Sequence, residues 1–404
     1  MKQLCLFMFF VILTASCTEE AAIIPKDFPV IETLNASEIS KDGVTLNGEF
    51  LTLGNNEIIE YGFVFDAYDP VLNKADSVVI LSEAKENAFS TSIQRGLAGN
   101  ITYHVKAYAK TDLHLIYGNS MEFESLGSKE NPWDLIHEPL MSGWHDAIGI
   151  STENMGFILF QSESFYAFNP QTNEVIRKPD IPMDGNTGTI YASFTIDNNI
   201  YIISNDSREV LKYDIADENW SKLAERPSIP IDVSPILGFG IQNKGYLIIK
   251  RQFFGYSPET DTWNYIGALP FTAVSEAEVI NDCAYVISSN KEVWSFNADN
   301  GVWNNDNTYP GEWNGKIVCF TQGDRIYCGM GYYGAYSGAP LPSRDFWEYN
   351  PGNNTWKRTA DFPLYHSQSE VFTFSIDAYA YFGYFDPAFT EDNNGYLIFR
   401  FDSP

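Results

Sequence analysis

Five times along the last two-thirds of this 404-residue chain, an aromatic residue is followed seven positions on by a large apolar residue, and seven further on by a proline. The sets are Phe168, Val175 and Pro182; Tyr213, Trp220 and Pro227; Tyr256, Trp263 and Pro270; Phe296, Trp303 and Pro310; and Tyr349, Trp356 and Pro363. Two spacings held through five consecutive units define a structural repeat, which constrains the fold more than any local propensity. Turn-forming strings follow the aromatics, such as Asn-Pro-Gln-Thr-Asn after Phe168 and Ser-Pro-Glu-Thr-Asp after Tyr256, so each unit holds a hairpin whose second strand starts near the Trp. Two more apolar runs precede each aromatic, for example Ile190 to Ile196 and Ile200 to Ile203. Four strands in a period of 40 to 53 residues predict one β-propeller blade per unit.

Phe401 takes the aromatic position of a sixth unit, three residues before the sequence stops at Pro404 and before a fourth strand. The segment from Asn131 to Pro139 has the Trp-to-Pro layout of a fourth strand, one residue short, and lies just before the first unit. A strand carrying Trp133 is therefore expected to complete the last blade, close the ring and leave no exposed sheet edge. That makes six blades. Tyr256, Pro258, Thr260 and Trp263 spell Tyr-x-Pro-x-Thr-x-x-Trp, which resembles Kelch repeats, and the resemblance spans about 131–404. The paired glycines of Kelch second strands survive only as a trace at Gly329-Met330-Gly331, so function transfers less readily than fold.

Residues 29–127 alternate with period two in short runs, among them Val44 to Gly48, Ile59 to Val64 and Phe89 to Ile93, which fits a seven-strand sandwich. Tyr61-Gly62-Phe63-Val64 and the Tyr103-to-Ala109 segment resemble the fibronectin type III-like domains of bacterial surface lipoproteins. Leu97 and Tyr103 have the spacing of that family's tyrosine corner, with Ile101 in place of the usual Thr. The resemblances together imply an all-β chain, a fibronectin III-like β-sandwich followed by a six-bladed Kelch-like β-propeller over 131–404.

Residues 1–16 read as a signal peptide: Lys2, an apolar stretch from Leu4 to Leu13, then small residues up to Cys17. Ala15-Ser16-Cys17 resembles the lipobox of bacterial lipoproteins, in which the Cys is acylated; the alternative is an ordinary signal peptide with an incidental Cys. Residues 17–28 are then a lipidated tether, and the acidic Thr18-Glu19-Glu20 resembles a surface-export signal, placing the protein on the bacterial outer membrane. Contact with the membrane is expected through the lipid alone. Cys319 and Cys328 flank a Gln322-Gly323-Asp324 turn, where they form either a cross-hairpin disulfide or a pair of packed thiols.

With 25 basic and 53 acidic residues the formal charge is −28, which opposes nucleic acid and anionic membrane surfaces as partners. His104, His114, His137, His145 and His366 make no metal-type spacing, so neither a metal nor a cofactor is expected. Glu276 and Glu278 sit two apart on one strand and read as solvated surface. In propellers, the connections between strands two and three and between strand four and the next strand one share one face. The long two-to-three connections of the last two units carry Tyr332, Tyr333, Tyr336 and Phe389, and the four-to-one connections add Trp144, Trp313, Tyr365 and His366. Long loops on a rigid scaffold carry function, and aromatic faces beside polar groups suit a saccharide. The expected function is a non-enzymatic surface lipoprotein that binds a glycan or a surface protein there, with no catalytic residues. One alternative is an enzyme, since six-bladed Kelch propellers resemble sialic acid mutarotases, with Arg325, Arg344 and Glu370 as acid–base groups. Another is a protein–protein interaction scaffold.

Overall fold

The computed structural model describes residues 27–72, 77–81, 87–140, 147–160, 164–182, 190–204, 208–228, 236–311, 316–332, 343–364, 370–385 and 395–403. Every regular element among them is a β-strand. The N-terminal region contributes eight strands, one more than the sequence pattern suggests: β1 (Val30–Ser40), β2 (Gly43–Thr52), β3 (Glu60–Asp66), β4 (Ser77–Leu81), β5 (Ala88–Ile93), β6 (Gly99–Lys110), β7 (Leu115–Tyr117) and β8 (Met121–Leu126). β1, β2 and β5 form one sheet, while β3, β4, β7 and β8 assemble around β6. β7, three residues long, pairs with the end of β6.

After β9 (Trp133–Leu140) the chain forms five consecutive four-stranded antiparallel sheets, each a simple meander. They are β10 (Ala147–Ser151) to β13, ending at residue 178; β14 to β17 (190–222); β18 (Ile236–Ile241), β19 (Lys244–Ile249), β20 (Gln252–Ser257) and β21 (Thr262–Ala268); β22 (Ala273–Ile280), β23 (Cys283–Ser288), β24 (Glu292–Asn297) and β25 (Val302–Thr308); and β26 (Lys316–Gln322), β27 (Arg325–Tyr332), β28 (Phe346–Asn350) and β29 (Thr355–Arg358). Three strands follow, β30 (Glu370–Ile376), β31 (Tyr379–Phe385) and β32 (Tyr396–Phe401), and β32 pairs antiparallel with β9. The first strands of consecutive sheets lie against one another, and β30 also lies against β10. This is a propeller-like, all-β architecture.

The repeat spacing follows from the hairpin register. The aromatic on each third strand faces the large apolar residue of the fourth: Phe168 faces Val175, Tyr213 faces Trp220, Tyr256 faces Trp263, Phe296 faces Trp303 and Tyr349 faces Trp356. The residue five after the aromatic has positive φ in every unit, namely Asn173, Glu218, Asp261, Gly301 and Asn354. Such a conformation favours Asn, Asp and Gly, which is why the turn strings recur there. Four of these aromatics face a Trp whose ring lies 4.8 to 5.1 Å away.

The core is divided into wedges between sheets. Ile200, Ile202, Leu211 and Tyr213 of the second sheet pack on Phe157 and Phe165 of the first. Similar clusters join the second sheet to the third, the third to the fourth and the fourth to the fifth. Phe372, Phe374 and Tyr381 of the last strands pack on Ile158 and Phe168 of the first sheet. Inner strands approach closely where side chains are absent: a Cβ on Gly149 would lie 2.0 Å from the Thr373 carbonyl oxygen, and one on Gly240 2.0 Å from that of Thr195. The Cys319–Cys328 alternative resolves as a disulfide between directly paired residues of β26 and β27, Cα atoms 4.2 Å apart.

Candidate ligand face

The residues just before the third strand show, in four units, a pattern that the sequence reading missed. Arg208, Arg251, Lys291 and Arg344 each stand five residues before the repeat aromatic. Their backbone carbonyls accept N–H bonds from Arg226, Leu269, Tyr309 and Phe362 respectively, at 3.0, 2.7, 2.8 and 2.9 Å. Each donor immediately precedes the repeat proline. Proline has no N–H and favours an extended predecessor, so the chain leaving strand four makes its last bond to this corner there. The cationic side chains fasten the same corner. Arg251 Nε donates to the Leu269 carbonyl at 2.8 Å, Lys291 Nζ to that of Gly311 at 2.7 Å and Arg344 Nη1 to that of Pro363 at 3.2 Å, while Arg208 pairs with Glu225. A cation at a constant offset in four units was the available signal. Taken one unit at a time, it reads as ordinary surface charge.

The next residue is a carboxylate in three of these units. Glu209 and Asp345 are buried; Glu209 accepts from Lys222 Nζ at 2.6 Å, and Asp345 from the Trp347 indole at 2.6 Å and from the Ser343 hydroxyl. Glu292 accepts from the Trp294 indole at 3.1 Å and the Ser288 hydroxyl at 3.2 Å. Beside Asp345 the Tyr309 phenol is held far above its usual pKa, chiefly by burial and then by the Asp345 charge. Each of these charged groups has a partner inside the fold. The rim is a fastened frame.

The connections between second and third strands differ in length. In the third sheet β19 ends at Ile249 and β20 starts at Gln252, and in the fourth β23 ends at Ser288 and β24 starts at Glu292. In the fifth, β27 ends at Tyr332 and β28 starts only at Phe346; in the last set, β31 ends at Phe385 and β32 starts at Tyr396. Tyr332 closes β27, its Cα paired with Lys316. Trp144, Trp313, Tyr333, Tyr336, Tyr365, His366 and Phe389 lie outside the described residues, as does Cys17. Arg325 and Arg344 are not brought together. Arg325 begins β27 at the far end of the sheet, paired with Asp324 and Glu348, whereas Arg344 precedes β28 at the rim; the Glu370 side chain is outside the described set.

Trp133 is fully buried on β9, directly opposite Phe401, with ring centroids 4.8 Å apart. Its ring also meets Phe346, Phe362 and Phe382 at 5.1, 5.0 and 5.6 Å. In the N-terminal region the Tyr103 hydroxyl accepts the Ala98 N–H at 3.0 Å, and the Leu97 N–H donates to Ser128 Oγ at 3.0 Å.

An all-β array of four-stranded antiparallel sheets with a propeller-like order is the class that these features define. No family model and no curated protein matches the chain. Among solved structures, one titled "Structure of YjhT" aligns with a TM-score of 0.49 at 14% identity, over 67% of this chain and 94% of that one.

Proposed function

We propose that this chain is a lipid-anchored surface protein whose six-bladed, Kelch-like propeller, carried on a fibronectin III-like sandwich, binds a glycan or a protein through one face. The observation that carries the reading is the contrast at the rim. The charged groups described there hold the frame, while among the connections between second and third strands those of the fifth and last sets are the long ones. The sequence supplies those connections with Tyr333, Tyr336 and Phe389. Large, flat side chains on loops offer contact area at small entropic cost, whereas a frame already paired has little to give a ligand. The six-fold count is supported by the pairing of β32 with β9 and by the contact of β30 with β10. The anchor rests on Cys17 and the apolar stretch before it. No catalytic residue is assigned.

The test is a double substitution, Tyr333→Ala with Tyr336→Ala, in the chain starting at Thr18. A glycan array and calorimetry on its hits should show affinity reduced by about tenfold or more, given about 1 kcal/mol per ring contact, with the melting temperature nearly unchanged. Retained affinity with a clearly lowered melting temperature would sink the binding-face reading. Separately, Cys17→Ser should move the protein from the detergent phase to a soluble fraction.

A further inference from the structure

We propose that a cleft between the N-terminal strands and the fifth sheet binds a small polyanion carrying at least two carboxylate or phosphate charges. The cleft has a volume of about 510 Å³, within the ordinary range for small-molecule sites. Arg95 and Lys129 line it from the N-terminal side, and Arg344, Lys357 and Arg358 from the fifth unit. A chain with 25 basic residues and a formal charge of −28 thus brings five of them to one crevice. Charge pairing leaves the balance positive. Glu130 is matched by Arg95, Asp361 by Arg358, and Glu348 by Arg325 from outside the cleft. Asp66 is buried and accepts the Tyr68 N–H at 3.3 Å. Lys129 and Lys357 form no ion pair among the described residues.

The repeat does not require these cations. At the places of Lys357 and Arg358, directly after the Trp of strand four, the third and fourth units have Asn264-Tyr265 and Asn304-Asn305, and the second has Ser221-Lys222. The doubled cation occurs in the unit whose sheet borders the N-terminal region. Two unpaired ammonium groups favour a ligand with two negative charges over a single one. A long polyanion would meet the acidic remainder of the surface, so the ligand must be small enough to sit within the cleft.

The experiment is calorimetric titration of the full chain at low ionic strength with pyrophosphate, with citrate, and with glucose as a neutral control. Saturable binding of either anion, weakening as salt is added, is expected. Binding of pyrophosphate alone assigns phosphate chemistry, and binding of citrate alone assigns carboxylate. Lys129→Gln with Lys357→Gln should weaken the affinity by about tenfold or more without changing the melting temperature, and Lys357→Arg with native Lys129 should retain it. The proposal fails if neither anion binds up to millimolar concentration, if the double substitution leaves affinity unchanged, or if sulfate and chloride compete equally, which would mean an adventitious ion only. Tyr333→Ala with Tyr336→Ala should leave this binding intact, so the site stands or falls independently of the long-connection face.

Discussion

Trp133 sits among five aromatic rings, those of Phe320, Phe346, Phe362, Phe382 and Phe401, and is wholly removed from solvent. Truncation to Ala should cost about 3–5 kcal/mol, because neighbours fixed on several different strands cannot collapse into the space. Denaturant melts of Trp133→Ala should show a lower midpoint with an unchanged slope; a loss under 1 kcal/mol would mean that the site relaxes freely. At this scale the sequence was readable where one chemistry recurs at one spacing. An aromatic facing a Trp has a single sensible use, whereas Arg251 or Lys291 suits solvent as well as a carbonyl, so the corner fastenings stayed hidden. Arg226 marks the limit of the pattern: it is buried before Pro227, where other units place Ile181, Leu269, Tyr309 and Phe362, and its Nε donates to the Ser204 carbonyl at 3.1 Å. Burial of a guanidinium there could not be read from a repeat that is otherwise apolar.

Strands and hairpins were the most legible level, since period-two alternation, turn residues and the position of the proline all report on pairing register. Element ends followed the turn chemistry. The choice at Cys319 and Cys328 needed coordinates, because facing across a hairpin is compatible with either a bond or packed thiols. With the bond formed, it closes a short loop in the inner hairpin of the fifth sheet. Replacing both cysteines by Ala should destabilise the protein by roughly 2–3 kcal/mol, on a chain-entropy account of a short loop. Thermal melts with and without reductant should reproduce that loss in the native chain and show no reductant effect in the variant. A chain beginning at residue 145 removes β9 and leaves β32 with an unpaired edge, so it should aggregate instead of melting cooperatively. A monodisperse, cooperative fragment would refute the closure.

For the molecule as a whole, many buried tyrosines share the wedges between sheets. Burial pushes the phenols of Tyr213 and Tyr381 up to about 12. In the unfolded chain they ionise near 10, so between the two values the unfolded state has lost protons that the native state keeps. Their contribution is therefore complete below about pH 10 and falls as pH rises through the window. Denaturant midpoints should drop progressively there, together with the rise in phenolate absorbance, and a flat midpoint would contradict the burial. The all-β, four-stranded organisation was legible at this scale because it is a sum of local repeats. The proposed ligand face was legible only as loop length and composition, since loops escape the register rules that fix strands. The pairing of β9 with β32 also sets an order of completion during synthesis. Arg400 and Asp134 meet at 2.9 Å although 266 residues separate them, so β9 is synthesised long before the strand it pairs with. Until β32 leaves the ribosome the last set lacks its third strand, and β9 and β31 each keep an open edge. A stop codon between Phe385 and Tyr396 would remove β32 and leave the facing edges of β9 and β31 unpaired in a nearly complete chain.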